Sequence, residues 1–243
     1  MQLNFYPTIL LIGIVFVSGC VSQSNVSIMG NQVSMKTEDG FEIIGSFYKY
    51  NSEHGVILLH MLKRNSNDLN AFADELQIEV YNVLSIDSRG HGQSLKKSGR
   101  TAEWQMFSDK DFNDMILDVK AAKEFLEGKG VEKISIIGAS IGANTAINYA
   151  EEDMEIKTVI LLSPGLDYRG VKVEDTVKDY ENRPILIVAS EDDEYSATSS
   201  RHLIELAVGK KELKMYADAG HGTKMFSKSD LDDFIISWLK ENG

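Results

Sequence analysis

Five short, unbroken apolar runs constrain this chain more than anything else in it: Val56–His60 (VILLH), Val83–Asp87 (VLSID), Ile134–Gly138 (ISIIG), Val159–Ser163 (VILLS) and Ile185–Ala189 (ILIVA). Continuous runs rich in β-branched residues suit central parallel strands covered on both faces. Parallel neighbours need crossover connections, and segments with helical periodicity fill the gaps. Phe112, Met115, Ile116, Val119, Ala122, Phe125 and Leu126 recur at three- and four-residue spacing, as do Leu231, Phe234, Ile235, Trp238 and Leu239 near the end. Ahead of the first run, Val33–Glu38 and Phe41–Tyr50 flank Asp39-Gly40, a dipeptide suited to a tight turn, and predict an antiparallel hairpin. The expected fold is an α/β sandwich with a mostly parallel central sheet, an N-terminal antiparallel hairpin and helices on both faces.

Length and composition narrow the partners. With 243 residues the chain suits one α/β domain, expected over residues 32–243. A net charge of −12 argues against nucleic acid, whose phosphates call for a Lys/Arg surplus. A single cysteine, Cys20, excludes a disulfide framework and a multi-thiolate zinc site. No His-Glu-x-x-His or comparable ligand spacing occurs, so neither metal nor cofactor is expected.

Ile9–Val17 is an apolar run too short to span a bilayer, which takes roughly 20 residues, but it has the length of a signal-peptide core. Val17-Ser18-Gly19-Cys20 resembles the lipobox of prokaryotic lipoproteins, although Met1–Thr8 carries no Lys or Arg. That resemblance implies a signal peptide over residues 1–19, a lipid on Cys20, a polar tether over 20–31 and an extracytoplasmic, membrane-anchored protein. A buried N-terminal element with an incidental free thiol is the alternative.

The chemistry-bearing segment is Gly138-Ala139-Ser140-Ile141-Gly142, between the strand Ile134–Gly138 and a helix-period stretch through Ile141, Ala146, Ile147 and Ala150. Gly-x-Ser-x-Gly at a strand-to-helix junction is a nucleophile elbow. The serine takes a strained backbone conformation that lifts its hydroxyl out of the sheet. Glycines at 138 and 142 let strand and helix approach closely enough for that turn.

With this elbow the chain resembles the α/β-hydrolase superfamily over most of residues 33–240. Leu58-Leu59-His60 ends the first buried strand where relatives have apolar residues and then His-Gly. Asp87-Ser88-Arg89-Gly90-His91-Gly92-Gln93-Ser94 looks like the family's Asp-x-Arg-Gly-x-Gly-x-Ser block. The resemblance implies a serine–acid–histidine order along the chain, satisfied by Ser140, Asp193 and His221. The acid belongs just after the strand Ile185–Ala189, which points to Asp193, with Asp192 one residue away as the open alternative. His221 sits between Gly220 and Gly222 in a loop before the last helix. The implied oxyanion donors are the backbone N–H groups of Met61 and Ile141. Met61 stands where relatives often have glycine, either as a pocket wall or packed on Leu62.

His60 is expected to be structural, His91 to fix its own loop, and His54 and His202 to lie at the surface. Pro164–Arg183 leaves no room for a large lid domain, so the site is expected to be open unless Gly92–Phe107 folds over it. The implied activity is hydrolysis of a carboxylic ester or thioester through an acyl-enzyme, on a small-molecule substrate. A peptidase of the same fold acting on short peptides and a non-catalytic binding lipoprotein are the rivals. Oligomeric state is open.

Overall fold

The computed structural model describes residues 1–2, 30–227 and 230–243. The apolar run Ile9–Val17, Cys20 and most of the tether lie outside the described residues. Among the described residues no helix is long and apolar enough to cross a membrane.

Strands β1 (Asn31–Lys36) and β2 (Phe41–Tyr48) form the expected hairpin around Asp39-Gly40. There follow β3 (His54–Leu59), α1 (Asn70–Ile78), β4 (Asn82–Ile86) and a short hairpin of β5 (Lys96–Lys97) and β6 (Arg100–Thr101). Helices α2 (Asp109–Asn113) and α3 (Ile116–Glu127) lead to β7 (Lys133–Ala139), α4 (Ile141–Glu152) and β8 (Val159–Leu162). A second small hairpin, β9 (Asp167–Tyr168) and β10 (Val171–Lys172), precedes α5 (Glu174–Asp179), β11 (Ile185–Ser190), α6 (Glu194–Leu206), β12 (Lys211–Tyr216) and α7 (Leu231–Asn242).

The main sheet runs β12-β11-β8-β7-β3-β4-β2-β5-β6, with β1 paired to β2. Every pairing from β12 to β4 is parallel. All five apolar runs therefore lie side by side. Along each strand alternate residues enter opposite cores. Ile57 and Leu59 pack with α3, α4, α5 and α6 on one face, while Val56 and Leu58 pack with α1 and α7 on the other. Burying a Val, Leu or Ile side chain contributes about 1.5–3 kcal/mol, so double coverage explains why these strands carry so few polar residues. Trp238 Nε1 donates to Thr158 Oγ1 at 2.9 Å and fastens α7 to the sheet.

The apolar repeat read across 112–126 is two helices. Ser108 and Asp111 form a capping box that starts α2. Phe112 and Met115 pack in a small cluster with Ile141 and Val171, whereas Val119, Ala122 and Leu126 face the larger core. The break between Asn113 and Ile116 lets one continuous apolar pattern serve two targets.

The Asp-x-Arg-Gly block after β4 is a structural knot. The Arg89 side chain is fully buried between Asp118, with Nε to Oδ1 at 2.8 Å, and Asp39 at 3.1 Å. Asp118 also accepts the Arg89 backbone N–H at 2.8 Å. An ion pair this deep gains little over an apolar replacement, but removing one member strands the other's charge. Asp118→Ala is expected to lower the unfolding free energy by about 3 kcal/mol in urea denaturation; a midpoint equal to the parent protein's would contradict this reading of the knot.

Candidate active site

At Ser140 the backbone turns from β7 into α4 with φ +56° and ψ −122°. A non-glycine residue held there stores on the order of 1–3 kcal/mol, which the surroundings must offset. They do so by close approach. A Cβ on Gly138 would lie 2.1 Å from the Gly142 carbonyl oxygen, and one on Gly142 would lie 2.6 Å from the His60 oxygen. The Ser140 N–H remains in the sheet, donating to Leu162 O at 2.8 Å, while its carbonyl accepts from Ala143 N–H at 2.8 Å and starts the helix. The two glycines of the motif are thus required by contact as well as by pattern.

His221 lies in the loop after β12. Its Nδ1–H donates to Asp193 Oδ2 at 2.5 Å, which leaves Nε2 as the free lone pair. The two candidate acids therefore differ in what they touch. Asp192 instead accepts from the Ser190 hydroxyl and, at 3.1 Å, from the Gly220 N–H, tying the acid loop to the histidine loop. Gly222 N–H donates to Ser163 Oγ at 2.8 Å and anchors the far side of His221 to the end of β8.

Ser140 and His221 line one cavity of about 370 Å³, with Met61, Leu62, Ile141 and Tyr168 as its apolar lining. Among the described residues no hydrogen bond joins Ser140 Oγ to the imidazole, and the Tyr168 phenol lines the same cavity beside them. Catalytic hydrogen bonds in ligand-free sites are often long and tighten around substrate. Among the described residues no acceptor takes the backbone N–H of Met61 or of Ile141. These are the two donors that the sequence assigns to an oxyanion.

His60 explains how the Met61 peptide is held. The ring is buried, and burial pushes its pKa down, keeping it neutral. Nδ1–H donates to Met61 O at 2.8 Å and Nε2 accepts the Ser88 N–H at 3.0 Å. A second buried ring, His91, meets His60 edge-on at 5.1 Å and stacks on Trp104 at 5.7 Å. Its Nδ1–H donates to Arg89 O at 2.9 Å. Burial and the neighbouring His60 bring the His91 pKa down to about 4. Both histidines serve the structure, as expected. Met61 is a pocket wall: its sulfur would meet a Cβ at Gly222 at 3.0 Å, so it fills the space beside the histidine loop.

Three residues of the site were missed in the sequence: Ser163, Tyr168 and Ser196. The Tyr168 hydroxyl lies 2.9 Å from Ser196 Oγ and donates to Ser163 O at 3.2 Å. Its ring packs edge-on against His221 at 6.2 Å. Burial raises the phenol, with the hydrogen bond to Ser196 opposing, and leaves it at about 12, so it stays a neutral donor. Tyr168 comes from the β9–β10 hairpin, inside the segment expected to hold no large cap. No large cap is present, but this small hairpin reaches the site. Gly92–Phe107 does not line the cavity; it adds β5 and β6 beside β2 and places Trp104 on His91. The only signal for the hairpin was Arg169-Gly170, a two-residue turn with φ +57° and +80°.

Fold and site together define a hydrolase of the α/β-hydrolase superfamily. Residues 51–178 match the family described as serine aminopeptidase, S33, and the chain belongs to that family. The matched segment holds Ser140 and stops short of Asp193 and His221. An esterase of Pyrococcus furiosus superposes with a TM-score of 0.73 at 20% identity, covering 88% of this chain and 92% of its own. An esterase of Exiguobacterium antarcticum gives 0.71 at 14% identity, covering 86% and 100%. A hydrolase of Thermoplasma acidophilum, described as CIB-like, gives 0.69 at 17% identity, covering 88% and 99%. At these identities the likeness speaks for the fold.

The depressed His91 pKa has a thermodynamic consequence. Between about pH 6.5 and 4 the unfolded chain binds a proton on this residue that the folded protein refuses, so stability falls as pH drops through that window. His91→Asn is expected to flatten the decline in urea midpoint between pH 7 and 4.5; an unchanged slope would contradict a neutral buried ring.

Proposed function

We propose that the protein is a serine esterase in which Ser140 is the nucleophile, His221 the general base and Asp193 the group that orients and balances the imidazole. Ser140 Oγ attacks the ester or thioester carbonyl while His221 Nε2 takes its proton. The tetrahedral oxyanion accepts hydrogen bonds from Met61 N–H and Ile141 N–H, each such donor being worth about 3 kcal/mol of transition-state stabilisation. His221 then returns the proton to the leaving alcohol or thiol, and water activated by the same ring releases the acid. The observation that carries this reading is the joint one: a strained serine and a histidine with its Nδ1–H committed to a carboxylate line the same cavity as two backbone donors that have no acceptor among the described residues.

The name of the matched family favours a second reading, an aminopeptidase. Such an enzyme must bind the substrate's terminal ammonium, most simply with carboxylates. The cavity's charged side chains are Lys63, Arg169 and Lys224 against the single carboxylate Asp167. That balance favours an uncharged or anionic ester over a cationic peptide terminus. A cavity of about 370 Å³ lies near the lower end of small-molecule sites, which suits short acyl or alcohol groups.

A fluorophosphonate probe is expected to label Ser140 in the parent protein and to give no adduct in Ser140→Ala. Hydrolysis of p-nitrophenyl butyrate should fall at least about a thousandfold in Ser140→Ala and in His221→Ala. Parent-level ester hydrolysis in either variant would overturn the assignment, and faster cleavage of aminoacyl-nitroanilides than of esters would favour the peptidase.

A further inference from the structure

The mouth of the cavity carries a charge pattern that ester hydrolysis does not require. Lys63, Arg169 and Lys224 are exposed and arrive on three separate elements: the loop after β3, the turn of the β9–β10 hairpin, and the short helical segment Gly222–Ser227 just past His221. Among the described residues none of the three has an ion-pair partner. Elsewhere some cations are paired, as Arg64 is with Asp68, Lys123 with Asp153, Lys133 with Glu53 and Arg201 with Glu191, and others among the described residues, such as Lys36, Lys49 and Arg100, stand singly at the surface. What sets the three apart is convergence: in a chain of net charge −12, where carboxylates are the commoner neighbour, three cations from separate elements line one opening beside a single carboxylate.

Aromatic faces hold two of them in place of carboxylates. Lys63 Nζ sits 6.0 Å from the Trp104 ring centroid, and the Arg169 guanidinium 6.0 Å from that of Phe112. A cation over a ring is restrained without being neutralised. The backbone at both is also unusual, with φ +66° at Lys63 and +57° at Arg169, conformations that glycine adopts without penalty. Arg169 occupies the first central position of a two-residue hairpin turn, where asparagine or glycine is the favoured choice. Long cationic side chains thus stand where the fold itself would prefer small residues. The one carboxylate facing them, Asp167, is engaged locally, its Oδ1 accepting Gly170 N–H at 2.7 Å. Asp68, near the same loop, is bound by Arg64 and Thr223, and Asp193 by His221.

We propose that this rim selects esters bearing an anionic group, a carboxylate or a phosphodiester, on the acyl or alcohol portion that projects from the cavity. The proposal rests on the serine-esterase reading and adds the substrate class. Lys63, Arg169 and Lys224 act as specificity residues: they bind the charge remote from the scissile carbonyl and so hold the ester across Ser140.

The experiment compares pairs that differ by an anionic group. Mono-p-nitrophenyl glutarate is set against p-nitrophenyl butyrate to test a carboxylate on the acyl side. Dihexanoyl-phosphatidylglycerol is set against dihexanoylglycerol, which lacks the phosphodiester, each kept below the concentration at which it aggregates, to test a phosphodiester on the alcohol side. The parent protein is expected to favour the anionic member of at least one pair by about tenfold in kcat/KM. The ratio should collapse toward unity in Lys63→Ala/Arg169→Ala/Lys224→Ala, invert in the triple glutamate variant, and be retained in Lys63→Arg and Arg169→Lys. Which pair shows the preference tells carboxylate from phosphodiester. Equal turnover within both pairs, or a preference that survives the triple glutamate variant, would overturn the rim.

A binding arm separates this from the reading beneath it. Calorimetry on Ser140→Ala should show monomethyl glutarate binding more tightly than methyl butyrate, with the difference lost in the rim variants. Such binding without turnover of any ester by the parent protein would leave the rim standing and overturn the esterase. Turnover with no preference in either arm would do the reverse.

Discussion

The close passage of β7 against the start of α4 governs everything built around it. Where Gly138 and Gly142 face each other, a single added methyl would lie 2.1 Å from a carbonyl oxygen. No rotamer relieves a clash with backbone, so the contact admits only glycine. The approach forces the residue between them to φ +56° and sets it between the last sheet hydrogen bond and the first helical one. The N–H of Ile141 then opens the helix with no acceptor among the described residues, at the end where the helix dipole is positive. The proposed nucleophile and one proposed oxyanion donor are consequences of the same two glycines.

The remaining parts come to that corner from distant segments, and each has its own tie. The Met61 peptide is held by neutral His60, which is itself held by Ser88 from the Asp-x-Arg-Gly block. That block is locked by a buried arginine between two aspartates. The His221 loop is fixed by Ser163 on one side and Asp192 on the other, so the imidazole is placed by groups other than the carboxylate it donates to. Tyr168 closes the ring of contacts by touching Ser163, Ser196 and His221 together. Strain at Ser140 and Ser163, with φ +56° and +51°, is borne where these ties converge.

Much of this was legible in the chain itself. The five apolar runs are the parallel strands because double coverage leaves a simple trace in sequence. The Gly-x-Ser-x-Gly spacing is the elbow because its glycines answer to a contact that admits nothing else. The order of serine, aspartate and histidine led to a serine and a histidine that line one cavity and to an aspartate that accepts from that histidine. Other features were hidden. Helices α2 and α3 share one apolar pattern, and only the presence of two packing targets separates them. Tyr168 has no periodic or motif signal, since its position depends on a two-residue turn set by Arg169 and Gly170. The choice between Asp192 and Asp193 hung on one residue in an acidic run, where side chains of the same type differ only in the direction the backbone gives them.

That choice offers the most direct measurement of the central claim, that Ser140, His221 and one particular carboxylate act as a unit. In ester hydrolysis by Asp193→Asn and Asp192→Asn proteins, the account predicts a kcat about a thousandfold or more below the parent for Asp193→Asn, through loss of the correct imidazole tautomer. Asp192→Asn, which loosens a loop tie but leaves the imidazole its partner, should lose less than about tenfold. Equal losses, or a larger loss at Asp192, would contradict the geometry on which the mechanism stands.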